Sequence, residues 1–360
     1  MNDASAKPAA TIPAPVLIAF TAEALARCGL PEPDAGAVAA TMIEADLTGV
    51  DTHGIARLAQ YMPILREGRI NPRPTITVAQ RGPATALVDG DNGMGHLVMT
   101  FAAKLAVEIA REAGVGWVGS RRSNHAGAAG IYAAIPLAAG MIGLYGAAAS
   151  ANHMAPWGGA EALLGTNPIA AAIPAGEEAP VVVDIATSVS SFGVIRKHAL
   201  EGRALPEGWV VDPKTGGPVT DAKAAGAGVL LPIGGHKGSG LSLIIGILGG
   251  VLNGAAFGRD VREFGGASDK GSNTGQFVVA LDIARFMPPE TFRAEMDRHI
   301  RDLRGSAPLP GFEAVRVPGA ERRRRRDERA RDGVPLSAAL IKQLDEVAAM
   351  LAIAPLRTRA

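Results

Sequence analysis

Gly114-Val-Gly-Trp-Val-Gly119 carries the Gly-x-Gly-x-x-Gly spacing of a dinucleotide fingerprint, and its reading decides the fold. The fingerprint works only where a strand precedes it and a helix follows, because its glycines turn the chain tightly and aim a helix N-terminus at a pyrophosphate. Here the order is reversed. Met99 to Ala113 has helical character, whereas Trp117 to Ser120 reads as a strand. The motif therefore predicts no Rossmann site, and no Gly-x-x-x-x-Gly-Lys-Ser/Thr loop stands in for it.

Toward the N-terminus, Arg69 to Asp89 turns extended, with alternating Thr75-Ile-Thr-Val78 and Ala84-Thr-Ala-Leu-Val88 as two strands. Before them the apolar spacing predicts helices over Pro15 to Cys28, Asp34 to Leu47 and His53 to Glu67. The last has Asp51 and Thr52 as N-cap types and Gly68 as a stop. Met1 to Thr11 reads as a frayed tail without the basic start and apolar core of a signal peptide. Toward the C-terminus, Ile142 to Ala149, Ile169 to Ile173, Val181 to Ile185 and Gln276 to Asp282 are strand-like. Ala128 to Ala139, Val189 to Leu200 and Ser239 to Leu252 are helical between them, and Phe292 to Leu303 and Ser337 to Leu351 close the chain. The expected class is α/β and non-Rossmann, with a helical N-/C-terminal domain. That domain comprises residues 1–75, completed by helices from about 289 to 360, around an α/β domain at 76–288.

Composition bounds the function. With 360 residues, 48% apolar and a net charge of +1, the chain suits a soluble globular protein rather than a disordered one. The longest apolar helical run, Leu241 to Leu252, is too short to cross a membrane. Arg322 to Arg326 is a run of five arginines, but Asp327, Glu328 and Asp332 interrupt its field, so nucleic acid is not an expected partner. The single Cys28 has no intrachain partner, and the histidines show no metal-ligand spacing. A cytoplasmic protein without a metal is expected.

Chemistry gathers in a few stretches. His53, Arg57 and Tyr61, spaced i, i+4, i+8, fall on one stripe if the predicted helix forms. A histidine beside a guanidinium suits protonation of a carbonyl oxygen while the arginine grips a neighbouring carboxylate. Ser123-Asn-His-Ala-Gly-Ala-Ala-Gly130 places His125 in a glycine-rich junction that either holds an anion or is a small-residue turn capped by Asn124. Ala155-Pro-Trp-Gly-Gly159 and Leu164-Gly-Thr-Asn-Pro168 offer Trp157 as an apolar wall and Thr166 and Asn167 as hydrogen bonders. Asp184 lies at a strand end, where it either accepts ribose hydroxyls or caps the next helix. Pro232-Ile-Gly-Gly-His-Lys-Gly-Ser-Gly240 opens a helix with Lys237 placed to meet a phosphate.

Together, DTHGIARLAQY (51–61), SNHAGAAG (123–130), APWGG (155–159) with LGTNP (164–168), VDIATS (183–188), LPEGW (205–209), GGHKGSG (234–240) and NTGQF (273–277) resemble the malate/L-lactate dehydrogenase family of the second, non-Rossmann type. Ureidoglycolate dehydrogenase, diketogulonate reductase and a cyclic-imine reductase also belong to it. The resemblance implies a mixed, largely antiparallel sheet, a homodimer, and hydride transfer between NAD(P) and a small 2-oxo/2-hydroxy acid. It implies His53 as proton donor oriented by Thr52, where serine is common, and Arg57 on the substrate carboxylate with Tyr61 and Thr166 nearby. His125, also catalytic, would line the cofactor cleft with Ala126, Gly127, Ala128 and Ala129. Ser150, Asp184, Ile185, Ala186, His236, Lys237 and the turn Pro318, Gly319, Ala320 would bind the dinucleotide. Relatives often carry Arg-Gly and then a charged residue where this chain has Phe192-Gly-Val194, which weighs against imine reduction. NAD is expected over NADP, with Asp184 as ribose acceptor set against Arg316 and Arg322 as candidates for a 2′-phosphate.

Overall fold

The computed structural model describes residues 9–263 and 271–359. The chain begins with strand β1 (Ala10–Ile12) and helices α1 (Ala14–Arg27) and α2 (Glu32–Leu47). Two short 3-10 turns, Asp51–His53 and Ile55–Arg57, then lead into α3 (Leu58–Arg66). There follow β2 (Thr77–Arg81), β3 (Thr85–Asp89), α4 (Gly95–Ala113), β4 (Val115–Ser123), α5 (Ala129–Ala134), β5 (Ile142–Ala147), β6 (Ile169–Ile173) and β7 (Val181–Ile185). The remainder is α6 (Phe192–Glu201), β8 (Val210–Val211), β9 (Val229–Leu230), α7 (His236–Gly249), β10 (Thr274–Leu281), α8 (Pro289–Gly305), α9 (Ala320–Asp332), β11 (Val334–Leu336) and α10 (Ala338–Leu351).

The central sheet has seven strands in the order β2-β3-β4-β10-β5-β6-β7. Only β3 and β4 pair parallel; the other neighbours are antiparallel. Because strand side chains alternate, β10 serves two cores: Val278 and Ala280 pack beneath α4 and α5, while Phe277 and Val279 face Ile245 of α7. The glycines of the opening motif are structural. Gly114 ends α4 in the left-handed region at φ 84°. A Cβ on Gly116 would stand 2.1 Å from the Ala106 oxygen, and one on Gly119 would stand 2.0 Å from Oδ1 of Asn253. They let β4 lie hard against α4 and the turn after α7.

The helical unit is built from both chain ends. Leu17, Phe20, Leu25, Met42 and Tyr61 share one buried core with Val334, Leu344, Val347 and Leu356. Each such large side chain contributes roughly 1.5–3 kcal/mol on burial. Met1 to Thr11 is not wholly a tail: residues 1–8 lie outside the described residues, but Ala10–Ile12 pairs antiparallel with Val334–Leu336. Helix α8 packs elsewhere, its Asp297 accepting from the backbone of Gly176, Glu177 and Glu178 next to the sheet. The arginine run lies in α9. A small third core, with Met154, Leu164, Ile195, Leu205 and Leu230, joins α6 to the β8–β9 pair.

One local expectation is corrected. His53 to Glu67 is not one helix, so His53, Arg57 and Tyr61 do not share a helical stripe. The buried Asp46 carboxylate accepts the Ile55 N–H at 2.7 Å, between the two 3-10 turns. Gly54 is the only residue type that fits there, since a Cβ would sit 2.0 Å from Asp46 Oδ1. This tertiary anchor overrides helix propensity.

Candidate active site

The segment at residues 52–57 and the sheet enclose a cleft of about 690 Å³. From the N-terminal unit it is lined by Thr52, His53 and Arg57; from the loop before α5, by His125, Ala126, Gly127, Ala128 and Ala129. Ser150, Thr166, Asp184 and Ala186 complete the wall from the sheet side. The His53 and His125 rings stack with centroids 5.6 Å apart.

Hydrogen bonds orient both rings. Thr52 Oγ1 lies 3.0 Å from His53 Nδ1, so the hydroxyl and the imidazole are partners. Nδ1 of His125 faces the Gly127 N–H at 3.4 Å and the Tyr61 hydroxyl at 2.6 Å. A backbone N–H can only donate, so Nδ1 accepts and the ring proton of neutral His125 sits on Nε2. Burial, then the nearby Arg57 charge, lowers the His53 pKa to about 4. Burial foremost, followed by Arg57, also holds His125 well below the ordinary histidine value. Burial pushes the Tyr61 phenol upward, so it stays protonated and donates.

Arg57 is the unbalanced charge. Its Nε donates to the Thr52 carbonyl at 2.7 Å and Nη1 to Gln60 Oε1 at 2.6 Å, and among the described residues no carboxylate pairs with it. Burial depresses its pKa, and the like charge of Arg196 adds to the effect. A desolvated guanidinium without a counter-charge costs folding energy and is a natural receptor for an anion.

Some expected residues stand elsewhere. Tyr61 is fully buried behind His125 and does not line the cleft. Ile185 points away from the face that Asp184 and Ala186 present, because β7 alternates, and is exposed. His236 and Lys237 are exposed at the start of α7, which covers the opposite face of the sheet. Trp157 lies outside the cleft, its ring against Gly235. Asn124 donates to the backbone of Asn92 and Gly93 instead of capping a helix. Asn167 ties its loop, accepting from the Ala149 N–H and donating to the Ser242 carbonyl. Asp184 does not cap the helix that follows it, nor does it stand free: its Oδ2 accepts from the Gly130 N–H in the first turn of α5 at 3.0 Å and from Arg322 at 2.8 Å. Sequence reading missed Arg196, Tyr145 and Gln276 on the cleft wall. For Gln276 the signal was present, since alternation along β10 puts it on the face of Val278.

A second cavity of about 230 Å³ opens alongside, sharing Ala128, Asp184 and Arg322 with the cleft. Ile131, Ala134, Leu137 and Val182 give it an apolar floor, and Gly319 of the expected 318–320 turn lines it. Pro318 accepts from the Val182 N–H, while Ala320 begins α9. An extended cofactor with two ring systems and a phosphate bridge fits this pair: apolar floor at one end, histidines at the other, and Arg322 at the junction. Among the described residues no cluster of three His, Cys, Asp or Glu is arranged to hold a metal.

Such a double cleft on a largely antiparallel sheet suits a dinucleotide-dependent dehydrogenase outside the Rossmann class. The comparisons with known proteins agree, and the chain belongs to the malate/L-lactate dehydrogenase family, whose model matches residues 12–345. It is 37% identical over 344 residues to malate dehydrogenase of Pyrococcus horikoshii, covering 94% of each chain. The solved structure of that enzyme superposes with a TM-score of 0.88, covering 96% of this chain and 97% of the other. L-sulfolactate dehydrogenase of Methanocaldococcus jannaschii is 37% identical over 90% of this chain and 92% of its own. Ureidoglycolate dehydrogenase (NAD(+)) of Escherichia coli K12 is 33% identical over 87% of this chain and 88% of its own. The protein is thus an NAD(P)-dependent oxidoreductase acting on the CH–OH group of a 2-hydroxy acid.

Proposed function

We propose that His53, His125 and Arg57 form the reacting centre for a 2-oxo/2-hydroxy acid pair whose acid carries a second anionic group. The observation that carries this reading is Arg57, a half-buried guanidinium facing the cleft with no carboxylate partner among the described residues. Its uncommitted Nη2, with the second N–H of Nη1, suits a substrate carboxylate. Arg196 lines the same cleft, its guanidinium over the Phe192 ring at 5.7 Å, and suits a second anion such as a distal carboxylate or sulfonate.

The bound nicotinamide supplies or accepts the hydride at C2 of the acid. His53 carries the proton exchanged with the C2 oxygen, with Thr52 holding its ring. His125 presents its Nε2–H as a hydrogen-bond donor to that oxygen. Arg57 fixes the carboxylate so that C2 faces the cofactor, and Thr166 is within the same wall. Ala126 to Ala129, Ser150, Ala186 and Arg322 hold the cofactor along the cleft. Positioning supplies much of such a rate, and one placed acid adds roughly 10²–10⁴-fold.

The sequence-based preference for NAD weighed Asp184 as a ribose acceptor against Arg316 and Arg322 and leaned on the acids that break the arginine run; Asp184 Oδ2 is engaged by Gly130 and Arg322, which weakens its side of that balance. A second copy of the chain is the partner we assign, because α7 and the 3-10 turn after it leave Leu243, Ile244, Ile247, Val251 and Leu252 exposed. Light scattering from nanomolar to micromolar protein reads the dimer; an active monomer overturns that assignment.

The test of the reaction is a substrate panel of oxaloacetate, sulfopyruvate, pyruvate, ureidoglycolate and a cyclic imine acid, with both cofactors. Turnover of the two-anion oxo acids above the rest is expected, and His53→Ala should lower it by roughly 10²-fold or more with cofactor affinity retained. Full turnover in that variant, or a preference for the imine, would sink the proposal.

A further inference from the structure

The arginine run of α9 is not simply a solvated face. Arg324 and Arg325 pair with Glu321, and Arg324 also with Glu328, all on their own helix. Arg322, Arg323 and Arg326 instead line the second cavity, where Glu44 and Asp184 are the facing carboxylates. Two of the three guanidiniums have their carboxylate partner in the cavity wall, and the third, Arg323, has its partner outside it.

The three arginines differ in what they have left to offer. Arg322 is committed to Asp184 through Nη1 at 2.8 Å and to the Asp184 carbonyl through Nη2 at 2.9 Å. Arg326 forks onto Glu44, with Nε at 2.6 Å and Nη2 at 3.2 Å. Arg323 makes one ion pair, from Nε to Asp327 one turn along at 3.1 Å, and both groups are more than half exposed. Among the described residues both its terminal nitrogens are uncommitted. Arg316, the other candidate from sequence, is exposed and lines neither cavity.

We infer that the enzyme selects NADP(H), with Arg323 as the residue that reads the adenosine 2′-phosphate and Arg326 as its support. This inference rests on the proposed seating of the cofactor along the two cavities. The apolar floor accepts the adenine ring, and the two uncommitted terminal nitrogens of Arg323 suit the phosphate at its rim. Asp184, the acceptor that would favour a free ribose hydroxyl, already takes two donors on Oδ2.

The test is a binding titration of the full-length protein, read by calorimetry, with NADPH, NADH, 2′,5′-ADP and 5′-AMP. A dissociation constant at least tenfold lower for NADPH than for NADH is expected, about 1.4 kcal/mol, with 2′,5′-ADP binding better than 5′-AMP. Arg323→Ala should bring NADPH toward the NADH value, and Arg323→Lys should recover part of the difference. Equal or tighter binding of NADH by the unmodified protein overturns the inference while leaving the cofactor seat intact. An unchanged NADPH to NADH ratio in Arg323→Ala removes the role of Arg323. Failure of all four ligands to bind overturns the seat as well.

Discussion

The Tyr61 hydroxyl lies 2.6 Å from Nδ1 of His125, and this one contact links the buried core of the N-terminal unit to the cleft. On the mechanism proposed above, Tyr61 is a positioning residue for the imidazole. Tyr61→Phe removes the phenol donor while leaving Gly127 N–H as the remaining fix on the tautomer. We expect kcat to fall roughly tenfold, the value of one hydrogen bond near 1.4 kcal/mol, with cofactor affinity unchanged. A broadened pH profile should accompany it; loss of cofactor binding in parallel would mean that the core, not His125, had been disturbed.

The ligand-free His53, with a pKa of about 4, is neutral at pH 7 and ready to accept a proton. A substrate carboxylate on Arg57 offsets one of the charges that depress it, so binding of the oxo acid should draw a proton onto the imidazole. In the oxidation direction, kcat/KM should stay level above about pH 6 and fall toward pH 4. In the reduction direction it should decline through neutral pH, approaching tenfold per unit. An oxidation profile still rising between pH 7 and 9 would contradict this. The same shift bears on stability: His53, His96 and His125 are all lowered, so the unfolded chain binds protons that the native one refuses. Stability should drop as pH falls below about 6.5.

Arg57 and Arg196 should separate cleanly in kinetics. Arg57→Lys keeps a charge but loses the fork, and should raise KM for every acid tested, with little change in cofactor affinity. Arg196→Ala should raise KM for oxaloacetate or sulfopyruvate roughly tenfold and leave pyruvate nearly alone. Equal losses for mono- and di-anionic acids in the Arg196 variant would remove it from substrate recognition.

Burial raises the Asp46 carboxyl to about 8, the Ile55 N–H bond opposing the shift only in part. Its native pKa exceeds the unfolded one, so the stability linked to its proton is present at low pH and lost as pH rises toward 8. Asp46→Asn keeps an acceptor for Ile55 and carries no charge. Its thermal midpoint should exceed that of the unmodified protein by a few degrees at pH 8–9 and converge with it near pH 5. A midpoint lower at both ends would show that the amide does not fit beside Gly54.

Much of the sheet was legible in the sequence, because β6 and β7 are apolar runs too short for helices and bounded by turns. The non-Rossmann conclusion came from the order of elements around Gly114 to Gly119, which the structure preserves as helix, turn and strand. Illegible features were those decided by distant partners. Nothing local to Gly54 announces that Asp46 will break the helix there, and β1 exists only because β11 pairs with it. In the site, the motif residues His53, Arg57 and His125 converge, whereas the GGHKGSG segment lies across the sheet. Motif spacing carries no information about which face of a sheet a helix will cover.

The joining of both chain ends in one helical unit also orders events in time. Arg326 grips Glu44, Arg329 donates to the Asp46 carbonyl and to the Asp51 carboxylate, and β11 completes β1. During synthesis the His53 segment emerges about 280 residues before these partners and stays incompletely supported until they follow. Contacts of such long sequence separation slow folding and expose the nascent helices to misassembly. The α9 and β11 residues thus support, from far along the chain, a segment made long before them.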